Sequence, residues 1–180
     1  MDEIVKAAMQ KWPHVPHCHG WLALDARGDW FLRDEAVQAA GPFPRVKGSR
    51  IEHAKLKAFI ERNYGVDEAG RWFFQNGPQR VYVQLEAAPW VWRVQWPDAP
   101  GATDAPTVTS HTGRAAIVKT CWLDDEGRLY LDTDLGLGLV HSQDMLDAAR
   151  AIEQGLWRPE PLAAAEAPVR FGFVRQPMPD

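Results

Sequence analysis

The chain has 180 residues, 46% of them hydrophobic and 24% charged, with a formal net charge of −4. This length suits one medium domain or two small ones with a real core, and the mild acidity removes any general attraction to nucleic acid or anionic membranes. Two cysteines are too few for a disulfide-built fold, while nine tryptophans exceed what a core of this size needs, so either the core is unusually aromatic or some rings line a pocket or an interface.

In chain order, residues 2–11 predict a short helix with an apolar stripe of Ile4, Val5, Ala8 and Met9, and with Asp2 and Glu3 at its positive end. The start carries no apolar leader core, and no run is long enough to cross a membrane, which points to a cytoplasmic protein with free thiols. Pro13 and Pro16 then break the helix within WPHVPHCHG. WLALDARGDWFLRD, residues 21–34, reads as strand, turn, strand about Asp25 and Gly28. The phrase returns at 64–74 about Asp67 and Gly70, and at 121–131 about Asp124 and Gly127. Asp accepts backbone N–H groups at the turn and Gly takes a positive φ before the second strand. Three ordinary hairpins or an internal repeat both produce this pattern.

Residues 50–63 predict the main helix of the first half. Ser49 is its expected N-cap, Glu52 completes a capping box, and Ile51, Leu56, Phe59 and Ile60 face inward, joined by Ala54 and Tyr64. Strands follow at 71–75, 80–85 and 90–96. PDAPGATDAPTV, at 97–108, has the composition of a linker or loop. A second helix is predicted at 142–154, capped by Ser142, with Met145, Leu146, Ala149 and Ile152 inward and Gly155 as its stop. A short strand is expected at 168–174. The expected fold class is α+β, in two related halves, each an antiparallel sheet packed by one main helix. The halves are placed at 1–97 and 108–180, with a linker at 98–107.

No recognisable catalytic set appears in the sequence, and no cofactor is predicted. In the stripe PWVWRVQW, Trp90, Trp92, Val94 and Trp96 share one strand face. The leading expectation is a non-enzymatic ligand- or protein-binding regulatory module. Its aromatic cleft, expected between the halves, would involve Trp72, Trp92, Arg93 and Trp96, with an unknown small molecule or protein as partner. The alternative is a metal protein or enzyme using His14, His17, Cys18 and His19, with zinc or another transition metal. On an extended strand Cys18 points away from His17 and His19, and neither Cys121 nor the remaining histidines supply a paired second cluster, so a proline-ordered turn competes with it. DTDLGLG, residues 132–138, offers Asp132 and Asp134 to a weak cation but lacks the closing Glu of a calcium loop. The third reading is a structural homodimer subunit. Nucleic acid and membrane partners are not expected, because the basic residues are scattered among acids.

One segment also resembles known sequences. RIEHAKLKAFI, followed by GRWFFQNGPQRVYVQLEAAPWVWRV, is similar to small bacterial families of domains of unknown function. The matching residues are Ile51 and Leu56, Gly70 to Phe73, Pro78, Val81, Val83, Glu86, Ala88, Pro89 and Trp90. The resemblance covers residues 50–94 well and the rest loosely. It implies a two-part α+β fold with repeated motifs and a regulatory or signalling role, and it carries over no catalytic residue.

Overall fold

The computed structural model describes residues 1–97 and 105–179. The chain divides into two compact units, one of Met1–Asp25, Asp29–Glu86 and Gly172–Asp180, the other of Ala26–Gly28 and Ala87–Phe171. None of the described helices is long and apolar enough to cross a membrane.

The first unit holds α1 (Glu3–Lys11), β1 (Cys18–Leu24), β2 (Trp30–Leu32), α2 (Glu35–Ala40), β3 (Ser49–Arg50), α3 (Ala54–Arg62), β4 (Tyr64–Val66), β5 (Trp72–Asn76) and β6 (Gln79–Leu85). Its sheet runs β3-β2-β1-β6-β5-β4 and is antiparallel except where β1 lies parallel to β6. The second unit holds β7 (Trp90–Gln95), β8 (Thr107–Ser110), β9 (Val118–Asp124), β10 (Leu129–Thr133), β11 (Gly136–Val140), α4 (Met145–Glu153), β12 (Pro159–Leu162) and α5 (Ala167–Phe171). Its order is β12-β9-β10-β11-β7-β8, with β11 parallel to β7 and β12 parallel to β9.

The related halves expected from the sequence are visible as connectivity. In the first, a β1–β2 pair and a β4–β5–β6 meander join through parallel β1 and β6. In the second, a β7–β8 pair and a β9–β10–β11 meander join through parallel β7 and β11. The molecule is therefore α+β, with α3 packed against the first sheet and α4 against the second.

The Asp-x-x-Gly turns share one hydrogen-bond pattern. Asp124 Oδ1 accepts from Glu126 N at 3.0 Å and Arg128 N at 2.7 Å, and Arg128 Nε donates to Oδ2 at 2.8 Å. Asp67 Oδ1 likewise accepts from Ala69 N and Arg71 N, with Arg71 Nε on Oδ2 at 2.9 Å. Asp25 accepts from Asp29 N, and Lys47 replaces the arginine at 2.9 Å. A fourth copy uses serine: Ser110 Oγ accepts from Thr112 N and Arg114 N. Gly28, Gly70, Gly113 and Gly127 all hold φ between 77 and 82°, a region that a side chain would strain.

The structure departs from expectation at five places. First, β7 joins the second sheet, so the division falls after Glu86 and not at 98–107; residues 98–104 of that linker lie outside the described residues. Parallel pairing with β11 suits β7 because Gly138 lies against the Trp92 ring and Trp90 Cβ, where a Cβ would collide with both. Second, Ser49 and Arg50 pair with β2, and Ile51 N donates to Trp30 O, so α3 begins only at Ala54. His53, through Nδ1, caps Leu56 N in place of Ser49.

Third, α4 follows a 3₁₀ turn at Ser142–Asp144, and the His141 side chain caps Gln143 N. Fourth, Ala148 and Ala151 face inward while Leu146 is 87% exposed, a phase set by the Asp144 contacts described below. Fifth, the expected strand at 168–174 is helix α5, which places Phe171 edge-on to Trp122 and Arg170 over the same ring at 4.1 Å. Among the described residues after Gly172, Val174 makes a bridge to Arg71.

Candidate functional site: an apolar groove in the first unit

β1 is irregular. Cys18 lies opposite Val81 and Leu22 opposite Val83, so four residues advance against two on β6. Gly20 supplies the positive φ of 80° at this bulge, and a Cβ there would come within 2.6 Å of the Gln38 amide oxygen. Trp21 follows directly, its carbonyl held by Arg33 N at 2.9 Å. Bulges re-aim side chains in this way. Here Trp21 and Leu22 both reach the same groove instead of opposite faces of the sheet.

The groove has a volume of about 340 Å³. Its floor is Leu22, Phe74 and Val81, α3 contributes Leu56, Phe59 and Ile60, and Leu32 and Trp21 form the rim. Phe59 meets Phe74 edge-to-face at 5.5 Å. Trp21, Leu32 and Leu56 remain 40%, 45% and 37% exposed, so apolar surface stays open to solvent around the opening. The polar groups on the lining side chains are the Cys18 thiol, the Asn76 amide and the Trp21 indole N–H. Burial pushes the Cys18 thiol up from its ordinary value, so it is neutral at physiological pH. A second groove, along β9 and residues 155–160, has Lys119, Arg158 and Glu160 in its lining and lacks this apolar character.

The histidine stretch lies at the start of the same strand. His17 packs edge-on to Tyr82 at 5.8 Å, and His19 stacks on that ring at 4.6 Å. Tyr82 donates to Asp67 Oδ2 at 3.1 Å. Cys18 turns the other way, into the groove, as strand alternation predicts. His14 is exposed in the segment before β1. Among the described residues no group of three or more His, Cys, Asp or Glu is placed to hold a metal ion, so His14, His17, Cys18 and His19 do not form such a cluster.

The tryptophans singled out from the sequence fall in different units. Trp72 belongs to the first, packed against Tyr64 at 4.8 Å. Trp92, Arg93 and Trp96 belong to the second, and each has a structural partner. Trp92 is fully buried, donates to Leu131 O at 2.9 Å and stacks on Trp90. Arg93 forms a two-pronged pair with Asp144, at 2.6 and 2.9 Å. Trp96 donates to Asp147 O and carries Arg150 over its ring at 4.0 Å. Asp132 lies in β10 opposite Leu137 and Asp134 in the β10–β11 turn, where its Oδ1 accepts from Ile117 N. The groove residues that sequence reasoning missed are Trp21, Leu22, Leu32 and Phe74. Leu56 and Phe59 were legible only as a helix stripe, and the available signal was Gly20 placed before a tryptophan in a strand.

Two solved structures are similar to the chain. A DUF1285 family protein from Silicibacter pomeroyi DSS-3 has 15% identity and a TM-score of 0.50, over 85% of this chain and 84% of that one. A DUF1285 family protein from Shewanella baltica OS155 has 18% identity and a TM-score of 0.47, over 72% of this chain and 90% of that one. The first likeness is one of fold. No curated protein sequence matches the chain. The family model DUF2944, described as "Protein of unknown function (DUF2946)", matches residues 1–178, and the chain belongs to that family.

Proposed function

We propose that this protein is a non-enzymatic binding module of regulatory character, and that its site is the groove between α3 and the first sheet. The observation that carries the reading is a continuous apolar lining left open behind half-exposed Trp21, Leu32 and Leu56. A groove of about 340 Å³ is of small-molecule size. Catalysis draws no support from the lining, because its polar groups are a neutral thiol, an amide and an indole N–H. Free Cys18 and Cys121 suit a reducing, cytoplasmic setting.

A fragment screen read by ¹³C-methyl NMR tests the proposal. Binding is expected to shift the methyls of Leu32, Leu56 and Val81, and Leu56→Arg is expected to abolish those shifts while leaving the rest of the spectrum in place. Hits that move only methyls remote from the groove, or that survive Leu56→Arg, would overturn the assignment.

A further inference from the structure

We infer that the ligand of this groove is an uncharged, predominantly apolar molecule with one hydrogen-bonding group, which meets the Asn76 amide. The inference rests on the groove being the binding site and adds the chemical class. None of the ten lining residues is Asp, Glu, Lys, Arg or His. Arg62, on the same helix, lies 6.0 Å from the Phe59 ring and is held by Asp2 at 3.1 Å. A carboxylate, phosphate or ammonium carried into the groove would lose its water and gain no counter-charge, which weakens binding steeply. An uncharged body has no such cost and gains contact with Trp21, Phe59, Phe74 and Val81. Asn76 sits at the end of β5 with its residue exposed, so a polar group directed there keeps contact with water while the rest of the ligand is covered.

The test uses the full chain and three probes on one skeleton: 1-naphthalenemethanol, 1-naphthoate and 1-naphthylmethylammonium. Affinities come from calorimetry, and the site comes from the Leu32, Leu56 and Val81 methyl shifts. Circular dichroism of Asn76→Ala confirms that the variant is folded. The alcohol is expected to bind at least about tenfold tighter than either ion. Asn76→Ala is expected to weaken the alcohol and leave 1-methylnaphthalene unchanged. If an ion binds within threefold of the alcohol at the same methyls, the class is wrong and the groove stands as the site. If no probe moves those methyls, class and site both fail. If the methyls shift with protein concentration alone, the groove belongs to a second copy of the chain and both readings are overturned.

Discussion

Replacing Asp144 with alanine tests how α4 is attached to the second sheet. The carboxylate is 8% exposed, receives both prongs of Arg93 and also accepts from Val94 N at 3.0 Å. Removing it leaves the Val94 N–H buried without its acceptor, at a cost of about 1–3 kcal/mol. Arg93 is 40% exposed and regains water, so its share shrinks to about 0.5–1 kcal/mol. The expected loss is about 1.5–4 kcal/mol at pH 7, measured by urea unfolding with tryptophan fluorescence. Burial pushes the Asp144 carboxyl up, but the Arg93 hydrogen bonds, the Val94 N–H and the nearby positive charges outweigh it and hold the group below its ordinary value. A depressed native pKa stabilises the fold above the unfolded value and ceases to do so as pH falls through the native one. The gap between wild type and Asp144→Ala should therefore be full at neutral pH and narrow below about pH 4. A loss under about 0.5 kcal/mol at pH 7, or a gap that stays constant down to pH 2.5, would refute the reasoning.

Further outcomes follow from other contacts. Gly138→Ala places a Cβ against the Trp92 ring and Trp90 Cβ, and should destabilise the protein by about 2 kcal/mol in the same urea assay; a neutral result would show that the rings have room to move. At the β9–β10 turn, Asp124→Ala should cost about 2 kcal/mol by thermal unfolding. Asp124→Ser should recover about half of that, because Ser110 performs the same backbone capping with a hydroxyl. Equal losses in the two variants would assign the effect to the Arg128 ion pair instead. Iodoacetamide at pH 8, followed by mass spectrometry, should label Cys18 slowly and Cys121 hardly at all. Burial raises both thiols, that of Cys121 to about 11. Labelling of Cys121 first would contradict its 3% exposure.

Local chemistry was legible from sequence and long-range chemistry was not. The three Asp-x-x-Gly hairpins emerged where expected because each turn is closed by groups within four residues. Helix α3 was found, but its start moved because Ile51 pairs with Trp30, a contact that no local cap signal encodes. The phase of α4 depends on a partner far away in sequence, Arg93, so the inward face fell on Ala148 and Ala151 and left Leu146 outside. The destination of β7 was hidden for the same reason, since it is the glycines of β11 that make room for its rings. At the site, alternation correctly turned Cys18 away from His17 and His19. The bulge that brings Trp21 beside it breaks alternation and was invisible to a rule built on it.

The composition of the first unit bears on the order of events at the ribosome. Its sheet is complete by Glu86, yet Arg175 O receives Leu85 N at 2.8 Å, and Val174 N donates to Gly70 O on the β4–β5 turn. Those partners are translated after every strand of the second unit. The N-terminal unit, although made first, must wait with the end of β6 and the Gly70 carbonyl unpaired, while the unit made later needs nothing beyond Phe171. Vectorial synthesis usually lets the earlier domain finish first. Here the final fastening of the earlier unit depends on residues translated after the whole of the later one, and a chain truncated after Phe171 would carry the segments of the second unit and an unfastened first one.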